Sequence, residues 1–183
     1  MESSKNQMTA IDWAVLFGLE SITVPARTQL LEEGSIARKM YIIEKGALRI
    51  WLNKNGNEIT NQFFFEEKLV ASLESFLSLQ PSDFYLETIE ECKLYVMDKI
   101  TFDELMRNDT NFKEWFQNYI LDRFLYYSKH VLSFLRDEPE ERYIYLLKTD
   151  PALLKRVPQK DLATYIGITP VSLNRIRNKT AEN

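Results

Sequence analysis

Apolar and polar positions follow three different rhythms along this 183-residue chain. Residues 8–18, MTAIDWAVLFG, have apolar side chains at helical spacing and predict a short amphipathic helix. From about 21 to 98 the pattern shortens to SITVPA, RKMYIIEKG, ALRIWLNKNG, NEITNQFFF, FYLETI and KLYVMD. These runs are rich in β-branched and aromatic residues and are separated by turn residues, which predicts short antiparallel strands. Asn55-Gly56 sits between two of them and signals a type I′ hairpin, because both central residues of that turn need positive φ. Gly34 and Gly46 mark other turns. Many short strands that must hide their edges suggest a closed roll or barrel.

From about residue 100 the period becomes helical. ITFDELMRN predicts one short helix, and Asp109 or Thr110 can cap a long one, NFKEWFQNYILDRFLYYSKHVLSFLRD. At 1.5 Å per residue the long helix would extend ~36–40 Å. Phe112, Trp115, Phe116, Tyr119, Ile120, Phe124, Val131 and Phe134 recur along it mostly three and four apart. Tyr126 and Tyr127 lie beyond that stripe, so one side is expected to pack on the strands and another to meet a second subunit. The expected subunit contacts are Phe112, Trp115, Phe116, Tyr119, Ile120, Arg123 and Tyr127. A core helix with no partner is the alternative that spacing alone leaves open. Asp137 to about Leu147 predicts a further helix, and Asp150-Pro151 starts a short one with an acidic cap and a proline in the first turn.

The last thirty residues have a denser grammar. In VPQKDLATYIGITPVSLNRIRNK, Pro158 suits a first helical turn, and Leu162, Ala163 and Ile166 follow at helical spacing. Gly167 interrupts with an expected positive φ. Thr169-Pro170 restarts a helix as N-cap and N1, and Leu173 and Ile176 complete its apolar side. The small Ala163 allows two steeply crossing helices to approach. This array is the pattern of a DNA-binding helix-turn-helix. A helical wheel turns Val171, Asn174, Arg175 and Asn178 away from Leu173 and Ile176, with Ser172 and Arg177 on the flanks. Arg175 can contact guanine, Asn174 or Asn178 adenine, and Val171 a thymine methyl. Arg177, Lys179, Lys160 and the backbone N–H groups near Thr169 suit phosphates.

Composition sharpens this picture. The net charge is −4, but residues 152–183 carry +4 and the rest carry −8. A basic end on an acidic body suits a polyanionic partner, although a solvated basic helix has the same footprint. A 45% apolar fraction supports a real core. No run approaches the ~20 apolar residues that span a bilayer, and MESSKNQMTAIDW lacks a basic start followed by an apolar block, so a cytoplasmic protein without membrane contact is expected. One cysteine, Cys92, and one histidine, His130, exclude an internal disulfide, a cysteine zinc site and an iron–sulfur cluster. There is no nucleophile–base–orienter set and no phosphate loop, so no enzyme, cofactor or metal is expected. Trp51, Phe63, Phe64, Phe65, Phe84 and Tyr85 fit a roll core or the lining of an apolar pocket.

Taken in order, these elements resemble the Crp/Fnr family of bacterial transcription regulators from about residue 15 to 179. EEGSIARKMYIIEKGALRIWLNKNGNE resembles the family's strand–turn repeats, and QKDLATYIGITPVSLNRIR its helix-turn-helix. The resemblance implies an α+β protein. It would have a jelly-roll-like antiparallel β-roll of the cyclic-nucleotide-binding-domain fold (1–109), a dimerisation helix (110–136) and a C-terminal helix-turn-helix domain (137–183). It also implies a homodimer on double-stranded DNA, with RNA polymerase and an unidentified small-molecule effector as further candidate partners. Arg175 falls where the family places a base-contacting arginine. Val171 replaces an acidic reader, and after Lys179 only TAEN remains where a β-wing often follows. The family's cyclic-nucleotide site needs a Gly-Glu and an Arg-Ser/Thr pair; here Ala71-Ser72 and Ser82-Asp83 stand at those positions. The phosphate's cation is replaced by a serine with a carboxylate beside it, so cAMP and cGMP are not expected to bind. A second reading, a ligand-sensing roll that acts through protein contacts with a vestigial helix pair, stays open at this stage.

Overall fold

Left-handed residues decide where the chain reverses. Asn55 and Gly56 have φ of 55° and 83°, as a type I′ turn requires, and Gly56 N donates to Asn53 Oδ1 at 2.8 Å. The computed structural model describes residues 8–181; the parts of the expected domains on 1–7 and 182–183 lie outside the described residues. The chain runs α1 (Ala10–Leu16), β1 (Glu20–Val24), β2 (Gln29–Leu31), β3 (Lys39–Lys45), β4 (Leu48–Lys54), β5 (Asn57–Phe64), β6 (Leu69–Val70) and α2 (Leu73–Ser78). It continues through β7 (Tyr85–Thr88), β8 (Cys92–Asp98), α3 (Lys99–Asn108), α4 (Thr110–Arg136), α5 (Pro139–Thr149), α6 (Pro151–Arg156), α7 (Gln159–Tyr165) and α8 (Pro170–Ala181).

The strands form two four-stranded sheets, in the orders β1-β8-β3-β6 and β2-β7-β4-β5. Register puts Leu94 of β8 between Ile22 of β1 and Ile43 of β3. With period 2, that keeps one row of apolar side chains on the inner face. Tyr41, Ile43, Leu48, Ile50, Phe64, Val70, Leu86, Cys92 and Leu94 make the buried core. Trp51 and Phe63 are buried as well, whereas Phe65, Phe84 and Tyr85 are half-buried. Cys92 is a buried free thiol. Among the described residues no helix is long and apolar enough to cross a membrane.

The chain divides into two compact units, Met1–Ile50 with Phe63–Tyr119, and Trp51–Gln62 with Ile120–Asn183. The division falls inside α4, and the tip of the β4–β5 hairpin goes with the helices. In the first unit Asp109 Oδ1 caps α4 by accepting from Phe112 N at 2.9 Å. The first turns of α4 then bury aromatic rings. Phe112 meets Trp13 edge-on at 5.4 Å, and Phe116 meets Phe102 at 4.9 Å. Trp115 stacks on Tyr119 at 5.5 Å, and the Tyr119 hydroxyl donates to Leu69 O and accepts from Leu69 N.

Two of the expected subunit contacts are thereby taken up within the chain. Phe112 is 0% and Phe116 6% exposed, so their own chain already encloses them. The uncovered apolar stripe lies on the opposite side of α4 and further along it. Leu121, Phe124, Leu125, Val131, Leu132 and Leu135 recur at spacings of three, four and seven, with Phe124 63% and Leu135 80% exposed.

Gly46 joins β3 to β4 with φ of 102°. A Cβ there would lie 2.6 Å from Cys92 Sγ and 2.7 Å from the Glu91 carbonyl oxygen. Gly34 has φ of 83° but open space around it. Gly46→Ala should therefore destabilise the protein by at least about 2 kcal/mol, and Gly34→Ala by about 1 kcal/mol. Urea unfolding of the two variants measures the difference; equal losses would contradict the assigned steric contact.

Candidate nucleic-acid interface

The helix pair is built as its spacing predicts. Leu162, Ala163, Tyr165 and Ile166 of α7 and its end are buried, and Ala163 is 0% exposed. Gly167 adopts φ of 79°, and a Cβ on it would approach Phe134 Cε1 to 2.7 Å. The backbone conformation therefore favours glycine at this corner, and a side chain there would also displace the Phe134 ring. Thr169 Oγ1 accepts from Ser172 N at 3.2 Å, the N-cap bond that opens α8. Leu173 is fully buried and Ile176 half-buried, so α8 lies with that side inward.

The opposite side of α8 meets solvent. Val171 is 63% exposed, and Asn174, Arg175, Arg177, Asn178 and Lys179 are all exposed. Ser172 is half-buried, its hydroxyl 3.0 Å from that of Thr169. Arg175 and Arg177 form no ion pair among the described residues. Asn174, Arg177 and Asn178 border an open groove with Gln159 of α7 and with Tyr143 and Leu147 of α5. Two of the expected phosphate cations are already matched by acids. Lys160 Nζ lies 3.4 Å from Glu58 Oε1, and Lys179 Nζ lies 2.8 Å from Glu140 Oε2. Both lysines are well exposed, so each pairing is weak and exchangeable.

Within this unit the tip of the β4–β5 hairpin supports the helices. Thr60 N donates to Thr164 Oγ1 at 3.1 Å, and Arg123 donates to Gln62 Oε1 at 2.8 Å. Arg123, expected at a subunit contact, is thus engaged within its own chain.

One residue that the sequence pattern does not reveal holds the helix pair from behind. Arg142 of α5 donates from Nε (3.0 Å) and Nη2 (2.8 Å) to the carbonyl of Ile166, at the end of α7. Its Nη1 donates to the carbonyls of Ser133 and Asp137, at the end of α4. The guanidinium also lies over the Phe134 ring at 4.5 Å. Carbonyls at helix ends lack intrahelical donors, and one cation here serves two such ends. In a segment as charged as DEPEERYIY, an arginine reads as a solvated helix face, so nothing marked it.

His130 stacks on Tyr165 at 4.5 Å with only 10° between the rings. Burial, with a contribution from the Arg142 charge, lowers the imidazole below its ordinary value of 6.5. Tyr126 and Tyr165 bring their hydroxyls within 3.2 Å, and burial, reinforced by Tyr126, pushes the Tyr165 phenol well above its usual range.

In the first unit the positions expected to match a cyclic-nucleotide site include two hydroxyls. Ser72 and Ser82 are buried, Ala71 is half-buried and Asp83 is exposed. The Ser82 hydroxyl lies 2.8 Å from that of Ser72 and accepts from Phe84 N at 3.1 Å. Ser72 borders a small cavity, about 170 Å³, walled by Leu30, Leu31, Tyr41 and Leu86. Arg38 and Lys39 at its edge are exposed.

Residues 21–109 match the cyclic nucleotide-binding domain family. No curated protein sequence matches the chain. Among solved structures, the c-di-GMP-responsive global regulator CLP of Xanthomonas campestris superposes with a TM-score of 0.74 at 16% identity, over 93% of this chain and 90% of that one. FixK2 of Bradyrhizobium japonicum gives 0.78 at 16%, over 90% and 85%. A CRP/FNR-family transcriptional regulator of Thermus thermophilus gives 0.71 at 13%, over 89% and 86%. The fold is therefore that of the Crp/Fnr regulators: an antiparallel cyclic nucleotide-binding roll, a long helix and a set of C-terminal helices.

The lowered His130 value makes stability depend on pH. The unfolded chain binds a proton at this imidazole more readily than the folded one. The site's full contribution is present above pH 6.5 and declines as pH falls below that. His130→Phe keeps a ring against Tyr165 and should flatten the stability slope between pH 7 and 5. Urea midpoints across that interval test it; an unchanged slope would contradict the account.

Proposed function

We propose that the protein is a sequence-specific DNA-binding transcription regulator of the Crp/Fnr type, acting as a homodimer on an inverted-repeat operator. The observation that carries this reading is the outward side of α8. Leu173 is fully buried while Val171 is 63% exposed, and Asn174, Arg175 and Asn178 are exposed beside it. A helix with this division can enter a major groove and offer Arg175 to guanine, Asn174 or Asn178 to adenine, and Val171 to a thymine methyl. Arg177 and the Thr169-capped N-terminus of α8 suit phosphates. Lys160 and Lys179 join them by exchanging Glu58 and Glu140 for the DNA backbone. Counterion release from the DNA favours that exchange at low salt.

The homodimer rests on the bare stripe of α4. Six large apolar residues from Leu121 to Leu135 on one face are costly to leave in water. Two copies related by a two-fold axis bury the same stripe against itself. That arrangement sets two reading helices ~34 Å apart, one turn of DNA. Cyclic nucleotides are not its effectors on this reading. The positions that would supply a glutamate for the ribose and an arginine for the phosphate contain Ser72 and Ser82, which bond to each other. The cations at the edge of the small cavity are solvated.

On a selected operator, Arg175→Ala should weaken binding by ~1–3 kcal/mol and relax one base position. Arg177→Ala should weaken specific and random DNA alike. Fluorescence anisotropy on both DNAs at two salt concentrations measures this, and equal losses on both DNAs for Arg175→Ala would contradict base readout. Phe124→Glu should convert a dimer to a monomer in sedimentation, and a dimer that survives it would move the interface elsewhere.

A further inference from the structure

We propose that a cavity in the helical unit, between α4, α5 and the end of α7, is a binding site for a small planar aromatic monocarboxylate. This goes beyond the DNA-binding reading and does not depend on it. The cavity has a volume of about 380 Å³, within the range that takes small organic ligands. Its walls suit a flat ring. The stacked His130 and Tyr165 form one side, and Leu146 and Ile166 supply apolar surface. The Tyr126 and Tyr165 hydroxyls, 3.2 Å apart, provide a polar spot within it.

The charge of the lining favours an anionic occupant, and the free donors say where its acid group would sit. Arg142 keeps its positive charge, but its N–H groups are turned to helix-end carbonyls. Arg136 is paired with Asp137 at 2.6 Å. His130 contributes a neutral ring at physiological pH, because burial lowers its affinity for a proton. Lys129 remains; it lines the cavity and forms no ion pair among the described residues. A carboxylate matches the one ammonium whose donors are free, in a lining that the Arg142 charge keeps positive. A neutral aromatic would leave the ammonium without its complement. An occupant would also touch Tyr165 and Ile166, the residues that lead into Gly167 and the α7–α8 corner, so its presence would be felt where the helix pair is held.

His130 is the chain's only histidine, so its ring protons are unambiguous reporters in the NMR spectrum of the full chain. Titration with 2-naphthoate should shift them saturably. The neutral isostere 2-naphthamide should bind at least tenfold more weakly. Lys129→Gln should weaken naphthoate binding about tenfold and Lys129→Arg should restore it, with thermal midpoints unchanged because residue 129 is exposed. His130 signals that stay still at millimolar naphthoate, or equal binding of acid and amide, would overturn the proposal.

Discussion

The guanidinium of Arg142 is the contact on which the helical unit turns. Helix ends leave carbonyls without partners, and two such ends, those of α4 and α7, have to meet if a helix-turn-helix is to sit firmly against a long helix. Arg142 serves both, with its plane over Phe134. Hydrogen bonds from a charged donor contribute ~1.5–3 kcal/mol each, so a small cluster of them fixes an angle that apolar packing alone would leave loose. Gly167 belongs to the same arrangement. Its missing Cβ leaves the space that Phe134 fills, and its positive φ lets the chain leave Ile166 with the carbonyl aimed at Arg142. The direction of α8, and so the direction in which Arg175 points, follows from this corner.

The long helix has a different job along each half of its length. Its first turns complete an aromatic cluster with Trp13, Phe17 and Phe102. Its second half turns His130 and Phe134 toward α5 and α7 and leaves Leu121, Phe124, Leu125, Leu132 and Leu135 bare. A helix with apolar residues on opposite sides is a natural connector, because each side can serve a separate partner. Charge is divided as unevenly: residues 1–151 carry −8 and residues 152–183 carry +4. On the proposed reading, attraction to DNA is concentrated where the exposed arginines are and is opposed elsewhere on the chain.

Much of this was legible in residue patterns, for physical reasons that differ by element. The Asn55-Gly56 turn, the Asp109 and Asp150 caps and the Thr169-Pro170 start are local rules, and local rules survive folding. Strands β3 and β4 stand out as β-branched and aromatic runs with four consecutive buried residues each, whereas β2 and β6, with three and two residues, are too short to stand out. Helix α2 is equally hidden, since six residues ended by a left-handed Leu79 have no distinctive spacing. On α4 the spacing is ambiguous because the helix has two apolar faces, and spacing cannot say that the chain itself covers Phe112 and Phe116. Arg142 was invisible for a complementary reason. Its partners are carbonyls 5, 9 and 24 residues away, and backbone acceptors leave no mark in a sequence.

The most direct test of the central claim, that α8 reads DNA as one half of a symmetric pair, is selection of bound DNA from a random pool by the full-length protein. The account predicts an inverted repeat whose half-sites are centred about one helical turn apart, with a guanine preference that disappears when Arg175 is replaced by alanine. Enrichment of no sequence, or of a single asymmetric site unaffected by that replacement, would contradict it.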